Sequence, residues 1–277
     1  MGAPDPRLDP SGHVDFRITR MLKAYAKEDP APNRVKPVPI QVLRRIMSIA
    51  IISEDAENLA IADMICIAFF FLLRPGEYAI SSSESTPFEL KDVQLFRGQR
   101  RLVLATATDA EILSATFASL TFDKQKNSVR GEVIGHAASG ALDLCPTRAL
   151  ARRILHLRRH NAPPHTPLAH AYTASGVKHI KPDLITKTLR LAVTYLGPSL
   201  GFTANDVSAR CLRAAGANAL LCAGVDTDVI RLLGRWRSDE MLRYLHTQAG
   251  PVLRDFSRKM LAGGSFTLIP NQQVPSF

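Results

Sequence analysis

Residues 208–246, SARCLRAAGANALLCAGVDTDVIRLLGRWRSDEMLRYLH, decide the fold. The spacing of their apolar side chains predicts three helices, at 209–223, 228–233 and 239–245. Gly224 follows the first helix, where a left-handed residue commonly ends one, and Ser208 and Ser238 are expected to cap helix N-termini. This region is therefore predicted to be helical, with tight turns between its helices.

The same stretch carries the charged residues of greatest interest. Arg210 and Arg213 are three residues apart and are expected to project from one face of the first helix. The small residues behind them, 214–217, would let that helix pack closely against a neighbour. Three further residues of chemical interest follow: Arg235, Trp236 and Tyr244. Such arginines either bind phosphate or solubilise the surface, and a tyrosine on a short helix is most often half-buried packing.

A second motif, FLLRPGEY (71–78), ends an apolar helix predicted over 57–73. Arg74 lies at the end of this helix, and Glu77 follows three residues later. A charge in this position commonly snorkels to water or compensates the helix dipole. The functional alternative is that Arg74 points into a cleft and that Glu77 orients it.

The pattern changes to short β-like runs over residues 88–134, namely VQLF, RLVLAT, ATFASLTF and VRGEVIG. Within TFDKQKNSVRGEVIG (121–135), the dipeptide 127–128 suits a hairpin turn. Lys124 and Lys126 would then point to the same side of a strand beside this turn. A lysine there is either solvated or a mobile charge that can reach a phosphate oxygen.

Further helices are predicted at 13–28, 41–52, 145–159 and 182–196. Helices followed by strands and then by helices indicate a mainly α protein with a small antiparallel β-sheet, an α+β fold. Residues 1–12 are rich in proline and glycine and are expected to be disordered. The four prolines of DPAPNRVKPVP (29–39) predict an extended linker. The single helix before the linker cannot bury its apolar face alone, so it is expected to be the remnant of a missing domain.

Composition narrows the class of protein. Of 277 residues, 46% are hydrophobic, which favours a globular core over disorder. The 35 Lys and Arg exceed the 25 Asp and Glu, giving a net charge of +10 that favours a polyanionic partner. The four cysteines form no CxxC pair, so buried free thiols are favoured over a zinc site. We also expect an intracellular protein with no membrane span, because no apolar run is long enough and no signal peptide is visible.

Taken together in this order, the motifs resemble the catalytic domain of the tyrosine recombinases, the phage-integrase family. The family pattern is an R-x-x-E arginine at a helix end, a β-hairpin lysine, an H-x-x-R helix, an L-G-(H/W) turn and a nucleophilic tyrosine. The matching residues are Arg74 with Glu77, Lys126 or Lys124, Arg210 with Arg213, Arg235 or Trp236, and Tyr244. The resemblance covers residues 40–246, and GRWRSDEMLRY (234–244) is most similar to the recombinases of eukaryotic mobile elements.

Two positions depart from the family pattern. Arg210 stands where the pattern has histidine, which keeps the positive charge but makes a poor proton shuttle at neutral pH. At the His/Trp position, the count of residues back from Tyr244 favours Arg235, whereas the ring type favours Trp236.

The resemblance implies strand transfer on DNA without a metal ion or another cofactor. Tyr244 would attack a phosphodiester and form a 3′-phosphotyrosyl link. Arg74 and Arg213 would hold the non-bridging phosphate oxygens, supplying the electrostatic stabilisation that a metal gives elsewhere. Lys126, or Lys124 as the second choice, would protonate the departing 5′-oxygen.

Supporting roles follow from the same resemblance. Arg210 would add a phosphate contact, and Trp236 would pack beside the scissile phosphate or the tyrosine. The expected partner is double-stranded DNA, bound by a homotetramer on two duplexes, in the nucleus if the source is eukaryotic and otherwise in the cytoplasm. The tail, 247–277, includes a possible helix at 251–261 that could dock on a neighbouring protomer.

Two other functions are compatible with parts of the sequence. One is an inactive, domesticated or truncated relative that keeps the fold and binds DNA, which the arginine at position 210 favours. The other is a helix-turn-helix regulator built from residues 209–233, which leaves the motifs around Arg74 and Lys126 without a role.

Overall fold

The computed structural model describes Arg7, Ser11 and residues 13–28, 36–80, 85–122 and 131–236. The chain divides into two compact units, Met1–Arg34 and Val35–Phe277. In the first unit, α1 (Phe16–Glu28) is a helix, as its apolar spacing predicts. Its large apolar side chains are exposed, among them Phe16, Met21, Leu22 and Tyr25.

The described part of the second unit is mainly helical. Its longer helices are α2 (Ile40–Ser53), α3 (Ala56–Phe70), α6 (Pro146–Arg159), α7 (Pro182–Leu200), α8 (Cys211–Cys222) and α9 (Thr227–Gly234), and its short ones are α4 (Pro75–Tyr78) and α5 (Asp109–Leu113). The longer helices agree with the sequence predictions to within a few residues at each end. The helix predicted at 239–245 lies outside the described residues.

Helix α3 forms the centre of this unit. Its residues are buried without interruption from Ala60 to Phe69, and it packs against α2, α6 and α8. A helix that is apolar on all sides is stable only when neighbours surround it. The side chain of Asp55 caps its N-terminus by accepting a hydrogen bond from the Asn58 backbone N–H at 2.7 Å.

One antiparallel sheet has the strand order β2-β1-β3-β4. Its strands are β1 (Val93–Arg97), β2 (Arg100–Arg101), β3 (Phe117–Phe122) and β4 (Glu132–Ala137). The pairing of β3 with β4 runs from Phe117 opposite Ala137 to Phe122 opposite Glu132. Together with the helices, this sheet confirms the predicted α+β class. The hairpin segment 123–130, with Lys124, Lys126 and the predicted turn, lies outside the described residues.

The strand predicted from RLVLAT is wrong beyond its first residue. The chain turns after Leu102, and Arg158 of α6 donates to the backbone carbonyls of Leu104 at 3.3 Å and Ala107 at 2.5 Å. These carbonyls are therefore satisfied by a side chain rather than by a neighbouring strand.

A second hairpin escaped the sequence analysis. It consists of β5 (His170–Thr173) and β6 (Gly176–His179), whose runs are too short to show an alternating pattern. Arg153 of α6 stabilises this hairpin, because its Nε donates to the Leu168 carbonyl at 3.0 Å and its Nη2 donates to the carbonyl of His170.

Arg153 belongs to a buried cluster that we call the Asp63 network, which comprises Asp63, Arg152 and Arg153. Asp63 Oδ1 accepts hydrogen bonds from Arg152 Nε at 2.9 Å and Nη2 at 2.5 Å. Burial raises the pKa of Asp63, and the Arg152 guanidinium opposes that rise. The ion pair ties α6 to the middle of α3.

The cysteines lie largely as the sequence analysis expects. All four are free thiols, and Cys66, Cys145 and Cys211 are buried, whereas Cys222 is partly exposed. Burial raises the pKa of the Cys66 thiol well above its ordinary value. Within the described ranges, no helix is both long and apolar enough to cross a membrane.

Candidate functional site

The candidate site is built on the end of α3, where the chain reverses at Leu72. Leu72 has a φ of +51°, a left-handed conformation that is unfavourable for a residue with a side chain. The Leu73 backbone N–H donates to the Ala68 carbonyl at 3.0 Å, which closes the helix end. This early reversal explains why α3 ends at Phe70 rather than at residue 73 as predicted.

Arg74 and Glu77 lie directly after this reversal and are bonded to each other. Glu77 Oε2 accepts from the Arg74 backbone N–H at 2.7 Å, and Oε1 accepts from Arg74 Nη1 at 3.3 Å. Arg74 precedes Pro75, which suits the first turn of α4. The Arg74 side chain is 30% exposed and that of Glu77 only 11%. Glu77 therefore orients Arg74, as the sequence analysis expects, and leaves it partly accessible.

Arg213 reaches the same reversal from α8. Its Nη1 donates to the Leu72 carbonyl at 3.1 Å, and its Nη2 donates to the carbonyl of Gly234. The guanidinium stacks on the Trp236 ring with 4.2 Å between Cζ and the ring centroid. Arg213 is only 3% exposed, so its charge is held by backbone carbonyls and an aromatic face.

Arg235, which follows α9, contacts the same chain reversal at Leu72. Its Nη2 donates to the Leu72 carbonyl and to Glu77 Oε2, both at 3.2 Å. Burial lowers the pKa of Arg235, and the nearby Glu77 carboxylate opposes that change. We refer to the Leu72 backbone with the five side chains around it as the Leu72 network, its members being Arg74, Glu77, Arg213, Arg235 and Trp236.

Two glycines allow the close packing of this network. A Cβ on Gly216 of α8 would lie 2.2 Å from the Phe69 carbonyl oxygen and 2.4 Å from Leu72 Cδ2. A Cβ on Gly234 would lie 1.5 Å from the Trp236 ring. The prediction that small residues behind Arg213 permit close helix packing is thus confirmed.

Arg210 lies apart from Arg213 despite the spacing of three residues. It is the residue that precedes α8, in place of the predicted cap Ser208, and its side chain is exposed. The two arginines do not share one exposed face, because Arg213 is buried whereas Arg210, whose backbone is also helical (φ −69°, ψ −21°), is exposed. Eight consecutive buried residues at the start of α8 also argue against a recognition helix.

A cleft of about 540 Å³ lies close to the start of α8, lined among others by Thr186, Lys187 and Arg190 of α7. The Ala209 backbone N–H donates to Thr186 Oγ1 at 3.0 Å. The residue before Arg210 is thereby fixed to the wall of a cleft that carries two further cationic side chains.

Tyr78 is a residue of the site that sequence analysis missed. It is fully buried, and its hydroxyl donates to the Ala209 carbonyl at 2.8 Å. Burial raises the pKa of Tyr78. This bond fixes α4, which follows Arg74, to the start of α8, and no spacing in the sequence indicates such a long-range contact.

Five of the nine predicted site residues thus come together in the Leu72 network, and Arg210 lies outside it. Lys124, Lys126 and Tyr244 lie outside the described residues. The segment that carries Lys124 and Lys126 nevertheless follows Phe122, whose ring stacks on Arg235, and the segment that carries Tyr244 follows Trp236.

In the described part of the chain, no three His, Cys, Asp or Glu side chains come together in a way that could hold a metal ion. No protein-family model matches the chain, and no curated protein sequence matches it.

Proposed function

We propose that this protein cuts and rejoins DNA strands by transesterification through a tyrosine, as a site-specific recombinase or integrase of the tyrosine-recombinase type. One observation supports this most. Arginines from three separated stretches, Arg74, Arg213 and Arg235, meet at the Leu72 carbonyl and the Glu77 carboxylate. Their meeting is expected if the motifs act as one site and is not required if each arginine merely solubilises its own helix.

The proposed reaction needs only side chains. The Tyr244 oxygen loses its proton to solvent and attacks the scissile phosphorus, forming a bond to the 3′-phosphoryl group while the bond to the 5′-oxygen breaks. Lys126, or Lys124, gives the leaving 5′-oxygen its proton. Attack by a 5′-hydroxyl on the phosphotyrosine reverses the sequence, so no net oxidation or hydrolysis occurs.

The arginines would stabilise the charge that builds on the phosphate. Arg74 is the accessible member of the network and would bind a non-bridging oxygen through the donors that Glu77 does not use. The positive charge of Arg213, which its carbonyl partners and the Trp236 ring hold in place, would stabilise the negative charge of the phosphate electrostatically. Arg210, which is exposed at the start of α8, would contact a neighbouring backbone phosphate.

The proposed substrate is duplex DNA, and the proposed assembly is a homotetramer on two duplexes. The net charge of +10 supports a polyanionic partner. Binding is expected to weaken steeply with salt, because each phosphate contact releases counterions.

The experiment that tests the proposal uses a duplex with a nick next to the scissile phosphate, so that cleavage releases a short fragment and traps the covalent adduct. The duplexes are drawn from a library of random sequences rather than built on one chosen target site. In EDTA and low salt, the wild type should form an adduct that denaturants do not dissociate. Arg74→Ala should slow adduct formation by about 100-fold or more.

Arg44→Ala is the matched control. Arg44 is a half-exposed arginine of α2 that pairs with Asp143 at 2.8 Å, so this variant removes the same charge from outside the network. It should form the adduct at nearly the wild-type rate. Absence of any adduct from the wild type, or loss of the adduct in EDTA alone, would overturn the proposed reaction.

A second candidate function is DNA binding without catalysis. It is favoured by Arg210 at the position of the pattern's histidine and by Arg213, which is only 3% exposed. In that case the wild type binds duplex DNA with a steep salt dependence but forms no adduct on any nicked substrate.

A further inference from the structure

Arg235 is the most completely bonded side chain of the Leu72 network. A guanidinium has five N–H donors, four of them on the two terminal nitrogens. Nη1 donates to the carbonyls of Phe71 and Leu233, both at 3.1 Å. Nη2 donates to the Leu72 carbonyl and to the Glu77 carboxylate. All four terminal donors are therefore engaged within the protein.

Among the described residues, the surroundings of Arg235 leave no approach for a phosphate. Its side chain is 2% exposed, and Phe122 covers one face of the guanidinium at 3.9 Å from Cζ to the ring centroid. The remaining donor, Nε, is buried and has no partner among the described residues. A phosphate could gain a terminal donor only by displacing a carbonyl or the carboxylate, each of which would then be buried without its hydrogen bond.

The acceptors of Arg235 are shared with the two other guanidiniums of the network. Glu77 accepts from both Arg235 and Arg74. The Leu72 carbonyl accepts from both Arg235 and Arg213. Arg235 thus links the other two arginines, because it shares the Glu77 carboxylate with Arg74 and the Leu72 carbonyl with Arg213.

We propose that Arg235 is a positioning residue that fixes the separation of Arg74 and Arg213, and that it is not a phosphate ligand. The inference rests on the proposed function and answers which role position 235 has in it. Four acceptors from two parts of the chain, residues 71–77 and Leu233, need a planar fork of donors. Lysine offers one nitrogen and histidine two, so neither can hold all four acceptors.

The test replaces each of two arginines with histidine. Arg235→His introduces the histidine that the family pattern has at position 235 or 236 but loses the fork, so adduct formation should slow by about 100-fold, while duplex affinity at low salt changes by less than about threefold. Arg44→His is the matched control, because Arg44 is a half-exposed arginine of α2 that lies outside the Leu72 network and pairs with Asp143. It should form adduct within about threefold of the wild-type rate.

A double-mutant cycle separates positioning from direct contact. If Arg235 acts through Arg74, then Arg74→Ala combined with Arg235→Lys should be hardly slower than Arg74→Ala alone. If Arg235 binds phosphate itself, the two losses should multiply. Multiplying losses, or an Arg235→His variant as fast as the wild type, would overturn the inference.

Circular dichroism and the emission of Trp236 report whether each variant folds. If the variants at position 235 fail to fold, Glu77→Gln supplies the test, because it keeps the shape and weakens the link between Arg235 and Arg74. It should slow adduct formation by about tenfold at nearly unchanged affinity, and a wild-type rate would overturn the inference. A wild type that forms no adduct defeats the proposed function and this inference together, whereas a normal wild type with an unaffected Arg235→His defeats the inference alone.

Discussion

Two groups of buried arginines lie along α3, the Asp63 network at its middle and the Leu72 network at its C-terminal end. In the Asp63 network both arginines come from α6, and their acceptors are one carboxylate and the backbone next to β5. In the Leu72 network the arginines come from separated parts of the chain and share their acceptors.

A buried arginine is therefore not by itself a sign of a functional site. Both networks satisfy guanidiniums with carbonyls, which is what burial of a charge requires. Only the Leu72 network continues into Arg74, a predicted phosphate ligand, and adjoins the segments that carry Lys126 and Tyr244. We therefore expect substitutions in the Asp63 network to affect stability and substitutions in the Leu72 network to affect the proposed reaction.

The largest effect on stability is expected for Arg153→Met. The variant removes donors from the carbonyls of Leu168 and His170 and a positive charge from beside Asp63. We expect the free energy of unfolding to fall by about 3–5 kcal/mol, measured by urea denaturation. Folded Arg153→Met should still form the adduct at the wild-type rate.

The control for that variant is Arg159→Met on the same helix. Arg159 is an exposed arginine whose ion pair with Asp109 spans 3.5 Å, so its loss should cost less than about 1 kcal/mol. Equal stability of the two variants would contradict the structural role given to the Asp63 network.

A smaller loss of stability is expected for Gly234→Ala, which places a Cβ 1.5 Å from the ring of Trp236. The ring must move off Arg213, at a cost of about 1–3 kcal/mol. Because Trp236 is the only tryptophan of the chain, its displacement should shift the emission maximum to longer wavelength. Adduct formation should slow with it.

Gly224→Ala is the matched control for this substitution. Gly224 has a φ of +81°, and a Cβ at this position would have no other atom within 4 Å. Alanine there should therefore cost about 1–2 kcal/mol through backbone strain alone. It should leave the tryptophan emission and the adduct rate unchanged. An emission shift in the control, or none in Gly234→Ala, would show that Trp236 does not lie against Gly234.

The smallest effect concerns pH and the histidines beside the Asp63 network. Burial, with Arg153 nearby, lowers the pKa of His156 to about 4, and burial together with His179 lowers that of His170 to about 4. His156 Nε2 also accepts a hydrogen bond from the Tyr172 N–H at 2.8 Å, which requires the neutral ring.

Because these folded-state pKa values lie below the ordinary value of 6.5, the neutral rings stabilise the fold above that pH. The contribution is lost as pH falls from about 6.5 towards 4, and for half-buried rings it amounts to about 1 kcal/mol each. The melting temperature of the wild type should fall over this range by more than that of a His156→Gln/His170→Gln variant. His13→Gln, at an exposed histidine of the first unit, is the control and should follow the wild type; identical profiles for all three proteins would contradict the shifts.

The sequence predicts the helices of this fold well because their apolar spacing is local. It fails at the end of α3, since the left-handed Leu72 is held by guanidiniums 141 and 163 residues away along the chain. The sequence does not predict the hairpin of β5 and β6 for a similar reason, because a hydrogen bond from Arg153 of α6 to the backbone next to β5 stabilises it. No local pattern records such long-range acceptors.

For the candidate site, five of the residues that the sequence singles out meet in the Leu72 network, but the sequence does not predict how they are bonded. Arg74 and Glu77 interact as their spacing suggests, whereas Arg210 and Arg213 do not share one exposed face. The burial of Arg213 and Arg235 depends on carbonyls supplied by the reversal after α3. Their different roles could therefore be inferred only from the bonds of each donor.

If the network serves a tyrosine that attacks DNA, that tyrosine must carry the DNA in the covalent adduct. The adduct formed on a nicked duplex is digested with protease and nuclease, and tandem mass spectrometry identifies the residue that carries the 3′-phosphoryl nucleotide. We expect this residue to be Tyr244. Attachment at Tyr195, which is 72% exposed on α7, would contradict this expectation.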